Sequence, residues 1–380
     1  MQEIPVRIAF YCSSISWGGL EINTVRYARW MAGAGFHTTV YCVADSPIHA
    51  EVTRTGQAHR AVRRNRKYAD LINASRVKRL FEEDRIEVVW FRDTRDMDLL
   101  GWVKRFSSSP LRLLYQQAMQ FGMSKKDPFH TFRFSAIDAW VSTLEFLARQ
   151  VRTHTRFPSS RIHVIPLGTE IRVDRTRREQ VRHSIGLTSR QLLAGVIGRI
   201  DPLKDQLCAI HALHLLHPQF PDAHLLIAGE STRNEGNDYE RQLRRHVNQL
   251  ELQRHVHFFP HSKEVHELYA ALDLFILTSK GETFGTVTIE AMQSGLPVIG
   301  TNSSGTPEIL DHNKAGLLYP PGDAAALAAL WTELLASESK RNSVALACQQ
   351  RANGYYSRKA SVNALSALVH HLAGRTTQVS

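Results

Sequence analysis

The stretch LFILTSKGETFGTVTIEAMQSGLPVIGT (274–301) decides the fold. LFILTS (274–279) is a short, wholly apolar run ending in small polar residues, the pattern of a strand buried on both faces. A loop containing Gly281 and Gly285 follows, and the chain enters a helix near Thr286. LPVIGT (296–301) then returns as a second buried strand. Strand, helix and strand in so few residues predict a parallel crossover. The same alternation extends upstream through LLAGVIG (192–198), HLLIAG (224–229) and VHFF (256–259). An earlier series comprises VRIAFYC (6–12), a helical stretch from Leu20 to Ala34 ending at Gly35, HTTVYCV, EVVWF (87–91), LRLLYQ (111–116), AWVS (139–142) and IHVIPLG (162–168). Pro166 and Gly168 suit a hinge between the two series. The expected architecture is α/β, with two doubly wound domains facing across a cleft and ligands at the carboxyl ends of the strands. The expected boundaries are 1–166, 167–356, and a last helical segment, 357–380, that packs back on the first domain.

Length and composition agree with two domains. The chain has 380 residues, 43% hydrophobic and 22% charged, the balance of a folded globular protein. No apolar run approaches the roughly 20 residues that span a bilayer. The start, MQEIPVRIAFYCSS, enters a strand almost at once with no apolar stretch leading to a cleavage site. A cytoplasmic location is therefore expected. Cys12, Cys42, Cys208 and Cys348 form neither a CxxC pair nor a metal-ligand spacing, and read as buried or half-buried thiols.

The net charge of +11 is unevenly placed. Residues 1–165 hold 25 Lys and Arg against 15 Asp and Glu; residues 166–380 hold 22 against 21. The excess is densest at Arg60, Arg63, Arg64, Arg66 and Lys67, then Arg76, Lys78 and Arg79, where an amphipathic helix is expected from about Leu71 to Phe81. This asymmetry points to an anionic partner for the first half, or to a solvated basic face. Only Tyr68 interrupts the basic residues with an aromatic, and no nucleic-acid motif is present, so nucleic acid is disfavoured. An anionic membrane surface or anionic acceptor is the expected partner, with peripheral association at the inner face of the membrane.

Three loops carry candidate chemistry. After LFILTS come Glu282 and Glu290, which a continuous helix would separate by about 12 Å, the scale of a sugar diphosphate joined to a ribose. A helix start has unpaired N–H groups that suit a diphosphate, and a carboxylate can accept both hydroxyl protons of a ribose. A glycine-rich turn with solvent-facing acids has the same spacing. After LLAGVI, GRIDPLKD (198–205) supplies Arg199 and Lys204, able to neutralise a leaving diphosphate, although loop cations also serve solvation. After the first strand, SWGGLE (16–21) places Gly18 and Gly19, which let backbone approach an anion or sugar, or form a plain turn. Neither GxGxxG nor GxxxxGK[ST] occurs, so dinucleotide and P-loop readings have no support.

GGLE (18–21), the GR and K of 198–204, the glutamates 282 and 290, then SGLPVIGT, SGTPEIL and GLLYPPGD together resemble retaining glycosyltransferases of family 4, with the GT-B fold of two Rossmann-like domains. The resemblance implies transfer of a sugar from a nucleotide diphosphate sugar to a glycan or lipid-linked acceptor in cell-envelope or polysaccharide synthesis. It implies Arg199 and Lys204 on the donor diphosphate and Glu290 on the ribose. Glu282 and the backbone at Phe284, Gly285 and Thr286 would lie against the donor sugar, and Gly18 and Gly19 near the diphosphate. Arg199, Lys204 and Glu282 are the implied catalytic residues. No metal and no cofactor beyond the donor substrate are implied. Many members carry a histidine after the fourth strand of the first domain, where this chain reads LLYQQAMQFG; Gln116, Gln117, Gln120 or His130 could take that role, or the role is absent here. GGxPE has become Ser304–Gly305–Thr306–Pro307–Glu308. The rival readings are a basic binding protein with a vestigial donor site, a sugar-nucleotide epimerase, and a phosphorylase.

Overall fold

The computed structural model describes residues 4–65, 70–171, 173–189, 191–231, 238–259 and 265–375. Arg66, Lys67 and Tyr68 of the basic segment lie outside the described residues. The chain divides into two compact units, 1–168 with 358–380, and 169–357.

Unit 1 is a seven-stranded parallel sheet. Its strands are β1 (Arg7–Cys12), β2 (His37–Val43), β3 (His59–Val62), β4 (Val88–Phe91), β5 (Arg112–Gln116), β6 (Ala139–Ser142) and β7 (Ile162–Val164), in the order β3-β2-β1-β4-β5-β6-β7. The central strands are buried on both faces, which is why they read as unbroken apolar runs. One face packs Tyr11, Phe91, Tyr115 and Trp140 into a core with the helices Leu71–Glu83 and Met97–Phe106. The other face is covered by the helix Gly19–Gly33, whose Tyr27 stacks on Trp90 at 5.8 Å. The last helix, Arg358–Leu372, also belongs to unit 1: Ser361 lies 2.6 Å from the Tyr27 hydroxyl and donates to the Pro166 carbonyl at 2.6 Å.

Unit 2 is a six-stranded parallel sheet of β8 (Leu192–Ile197), β9 (Ala223–Ala228), β10 (Val256–Phe259), β11 (Leu274–Leu277), β12 (Val298–Thr301) and β13 (Leu317–Tyr319), in the order β10-β9-β8-β11-β12-β13. The expected pair of doubly wound parallel sheets is thus present. By unit, the charge separates further than by halves of the chain. Unit 1 carries 28 Lys and Arg against 15 Asp and Glu, and unit 2 carries 19 against 21. All four cysteines are buried and unpaired. No helix among the described residues is long and apolar enough to cross a membrane.

Candidate functional site

In unit 2 the chain winds from β8 through β9 to β10 on one side, then restarts at β11 and winds the other way. The switch point lies between β8 and β11, and loops leaving adjacent carboxyl ends there diverge and open a crevice. Those two loops carry Arg199 and Lys204 after β8, and Glu282 to Thr286 after β11.

The loops are tied together by backbone. Lys280 N–H donates to the Leu203 carbonyl at 2.9 Å, and the Thr278 hydroxyl donates to the Lys204 carbonyl at 2.5 Å. Asp201 accepts from Leu203 N–H at 2.7 Å and starts a single 3₁₀ turn, Pro202–Lys204, which aims Lys204 across to the second loop. Lys204 Nζ meets Glu282 Oε2 at 2.5 Å, both side chains being largely buried. Glu282 is held from behind, since Gly305 N–H donates to its carbonyl at 3.1 Å. Arg199 stands apart: its side chain is 64% exposed and its guanidinium lies 3.9 Å from Asp201.

Gly285 adopts the left-handed conformation (φ 67°) and starts the helix Thr286–Gln293 with no side-chain cap. Its first N–H groups are therefore open to a ligand. Glu282 lies in the loop ahead of this helix, so the assumption of continuous helix between Glu282 and Glu290, and the 12 Å spacing built on it, does not hold. Glu290 is reached a turn into the helix, where its Oε2 accepts from the Tyr269 hydroxyl at 3.1 Å. Burial and the Glu290 carboxylate push the Tyr269 hydroxyl well above its ordinary pKa, so it remains a proton donor. Phe284 is buried and packs edge-on against Tyr356. Sequence reasoning missed Tyr269, because nothing in its local pattern distinguishes it from a core tyrosine.

The close approach of β8 and β9 also shapes the site. Gly229 has φ +155°, and a Cβ there would collide with the Gly198 carbonyl just ahead of Arg199. Only glycine fits at 229.

In unit 1, Gly18 is the N-cap of the helix Gly19–Gly33 and makes no side-chain cap. Of the residues considered in place of a histidine, Gln117 is structural: its Oε1 accepts from Trp140 Nε1 and the Ser142 hydroxyl, and its Nε2 donates to the Met119 carbonyl. His130 pairs with Asp127 at 2.6 Å at the start of the helix Pro128–Ser135. Gln116 is 1% exposed, and neither of its amide atoms has a hydrogen-bond partner. Among the described residues no group of three or more His, Cys, Asp or Glu is arranged to hold a metal ion.

Two family models match in succession. Residues 17–173 match Glycosyltransferase Family 4, and residues 177–351 match Glycosyl transferases group 1. The chain belongs to the GT-B glycosyltransferases of the family 4 type. This glycosyltransferase is 29% identical over 293 residues to a GDP-mannose-dependent alpha-(1-6)-phosphatidylinositol monomannoside mannosyltransferase of Mycolicibacterium smegmatis, covering 72% of this chain and 74% of that one. It is 32% identical over 177 residues to a D-inositol 3-phosphate glycosyltransferase of Corynebacterium jeikeium, covering 43% of this chain and 42% of that one, under half the relative's length. The crystal structure of Anabaena HepE in complex with UDP and glucose superposes with a TM-score of 0.79 over 96% of this glycosyltransferase and 99% of that chain, at 18% identity. That likeness carries the fold.

Proposed function

We propose that this glycosyltransferase moves a sugar from a nucleotide diphosphate sugar to an anionic or lipid-linked glycan acceptor, with retention at the anomeric carbon and without a metal ion. The observation that carries the reading is the Lys204–Glu282 pair at the switch point of unit 2, beside an uncapped helix start. Lys204 and Arg199 would take the diphosphate, the N–H groups from Phe284 to Thr286 and Glu282 the donor sugar, and Glu290, oriented by Tyr269, the ribose. Gly18 and Gly19 would offer backbone N–H groups of unit 1 to an anionic part of a substrate.

In this mechanism the acceptor oxygen bonds to the anomeric carbon on the face from which the diphosphate leaves. The bond to the diphosphate oxygen breaks, and that oxygen takes the acceptor's proton. Fixed cations lower the barrier because charge grows on the diphosphate as the bond breaks. UDP and GDP are the first nucleotides to try, since the Anabaena protein was solved with UDP and the Mycolicibacterium relative is GDP-mannose-dependent.

The test is to follow donor breakdown by proton NMR with EDTA present, water serving as acceptor where no other is known. Release of sugar whose first-formed anomer matches the donor supports the reading. Release of the opposite anomer overturns retention, and activity lost to EDTA but restored by a divalent ion overturns metal independence.

We also propose that unit 1 associates with an anionic membrane at the inner face of the cell. Arg60, Lys78 and Arg79 are paired with Asp84, Glu82 and Glu83, which narrows the basic face expected from sequence. Arg63, Arg64 and Arg76 are exposed, and so are Leu71 and Ile72 on the neighbouring helix. Cations beside exposed aliphatic side chains suit a headgroup layer over its acyl boundary.

A further inference from the structure

The residues of unit 1 proposed to meet substrate, Gly18 and Gly19, follow the carboxyl end of β1. The opposite, amino-terminal end of the same sheet holds a separate cavity of about 570 Å³. Three helices finish there, Leu71–Glu83, Met97–Phe106 and Arg358–Leu372, and the turns leading into β4 and β5 complete the walls. Small-molecule pockets fall in the range of roughly 300–1,000 Å³, so the space suits an organic ligand. The floor is apolar. Phe81, Ile86 and Leu111 are 2%, 6% and 5% exposed and belong to the core of unit 1, and Pro110, Leu372 and Ala373 extend that surface.

The rim is polar, and its acids are already occupied. Glu82 is paired with Lys78 at 3.2 Å and accepts from the Ser108 hydroxyl at 2.7 Å. Glu87 accepts from Arg375 at 2.9 Å and from the Arg7 N–H at 3.0 Å. The cations of the rim are in surplus. Arg112 lies 3.2 Å from Asp138, which Lys104 already holds at 2.5 Å. Arg85 is exposed and makes no ion pair among the described residues. Its backbone is left-handed (φ +52°), in the position after a helix end that glycine favours.

An apolar floor under unspent guanidinium groups calls for a ligand with an apolar body and an anionic head. We propose that this cavity binds an amphipathic anion, an aliphatic chain bearing a carboxylate or phosphate, with its head on Arg85 and Arg112 and its chain on Phe81, Ile86 and Leu111. None of the residues assigned to transfer lines the cavity, so the ligand is neither donor nor acceptor. The site stands independently of the transferase reading.

Calorimetry on the intact chain tests this with octanoate, octyl phosphate, octanol and acetate, all below the concentration at which they aggregate. At least one of the two octyl anions should bind tenfold or more tightly than octanol, which lacks the charge, and acetate, which lacks the chain. Whichever it is identifies the head group. Arg85→Gly should weaken that binding at least fivefold with an unchanged or higher melting temperature, because glycine accepts φ +52° more readily than arginine. Ser109→Trp, at an exposed position on the cavity wall, should block the chain without altering any charge. UDP or GDP affinity should stay within twofold in both variants, and changing Arg63 and Arg64 to Ser should leave octyl-anion binding as it is. Octyl anions that bind no better than octanol or acetate would overturn the proposal. So would wild-type affinity in the folded Arg85→Gly or Ser109→Trp protein, or binding lost with Arg63 and Arg64, which would place the ligand on the basic face instead.

Discussion

The Tyr269 hydroxyl lies 3.1 Å from Glu290 Oε2, and it also lies 3.1 Å from the Val287 carbonyl in the same helix. A buried phenol from the helix Val265–Ala271 thereby fixes one oxygen of the carboxylate assigned to the ribose. Charge-assisted hydrogen bonds are worth about 1.5–3 kcal/mol each, and an amide keeps only part of that. Glu290→Gln should weaken nucleoside diphosphate binding roughly tenfold or more. Tyr269→Phe, which removes only the orienting bond, should cost about 1 kcal/mol, roughly fivefold. Calorimetry giving wild-type affinity for Glu290→Gln would remove Glu290 from the site.

Arg199 and Lys204 share a proposed task but differ in setting. Charge on the diphosphate grows in the transition state, so Arg199→Ala and Lys204→Ala should each lower kcat more than they raise KM. Lys204→Ala should also destabilise unit 2 by about 1–3 kcal/mol, because it leaves the half-buried Glu282 without its cation. Arg199→Ala should change stability by less than about 0.5 kcal/mol, its side chain being 64% exposed. Urea melts separate the two. Variants that raise KM and leave kcat alone would contradict the leaving-group role.

Gly229→Ala should be severely destabilising, by about 3 kcal/mol or more, because its Cβ would fall on the Gly198 carbonyl and that backbone must move. Gly285→Ala should be milder. Its added Cβ lies 3.0 Å from Glu282 Cγ and 3.3 Å from the Thr288 hydroxyl, at φ +67°, so strain of about 1–2 kcal/mol falls on the loop after β11. A soluble Gly229→Ala protein with unchanged melting would show that the approach of β8 and β9 is looser than described.

Much of this was legible in sequence, and what was not has physical reasons. Central strands such as VRIAFYC and LFILTS stand out because burial on both faces leaves an unbroken apolar run. The edge strand β3 (HRAV) is half exposed and charged, and Arg60 reads as part of a basic run until its pairing with Asp84 is seen. The helix Glu338–Tyr355 shows no apolar stripe, with only Cys348 and Ala352 buried among its residues. Arg199, Lys204, Glu282 and Glu290 were marked by glycines and by position after strands. Tyr269 acquires meaning only through a contact distant in sequence, with Glu290.

Acid should destabilise unit 2. His224 is 4% exposed, and its Nδ1 lies 3.1 Å from His257 Nε2. Burial first, then His257, His255 and Arg182, hold it down to about pKa 4. The unfolded chain, with histidine near 6.5, binds the proton more readily, so stability falls as pH drops from about 6.5 to 4. The expected loss is about 2–3 kcal/mol from this group. Thermal melts at pH 7.5 and 5.0 should show the drop, and His224→Gln should reduce it. Equal pH dependence in that variant would assign the effect elsewhere.

Anionic vesicles should bring the protein down in co-sedimentation at low salt. Changing Arg63, Arg64 and Arg66 to Ser should weaken binding by about 1 kcal/mol per residue. Equal recovery in the supernatant with neutral and anionic vesicles would exclude the membrane proposal.

Whether the switch point of unit 2 holds the donor diphosphate is tested most directly by a thermal-shift series with UDP, GDP and ADP on the wild type and on Arg199→Ala/Lys204→Ala. A nucleotide at 100 times its Kd adds about 2.7 kcal/mol, about 5–10 °C for a unit of this size. The prediction is a shift of that order with at least one nucleotide in the wild type and a clearly smaller one in the double variant. No shift with any of the three, or an equal shift in the double variant, would contradict it.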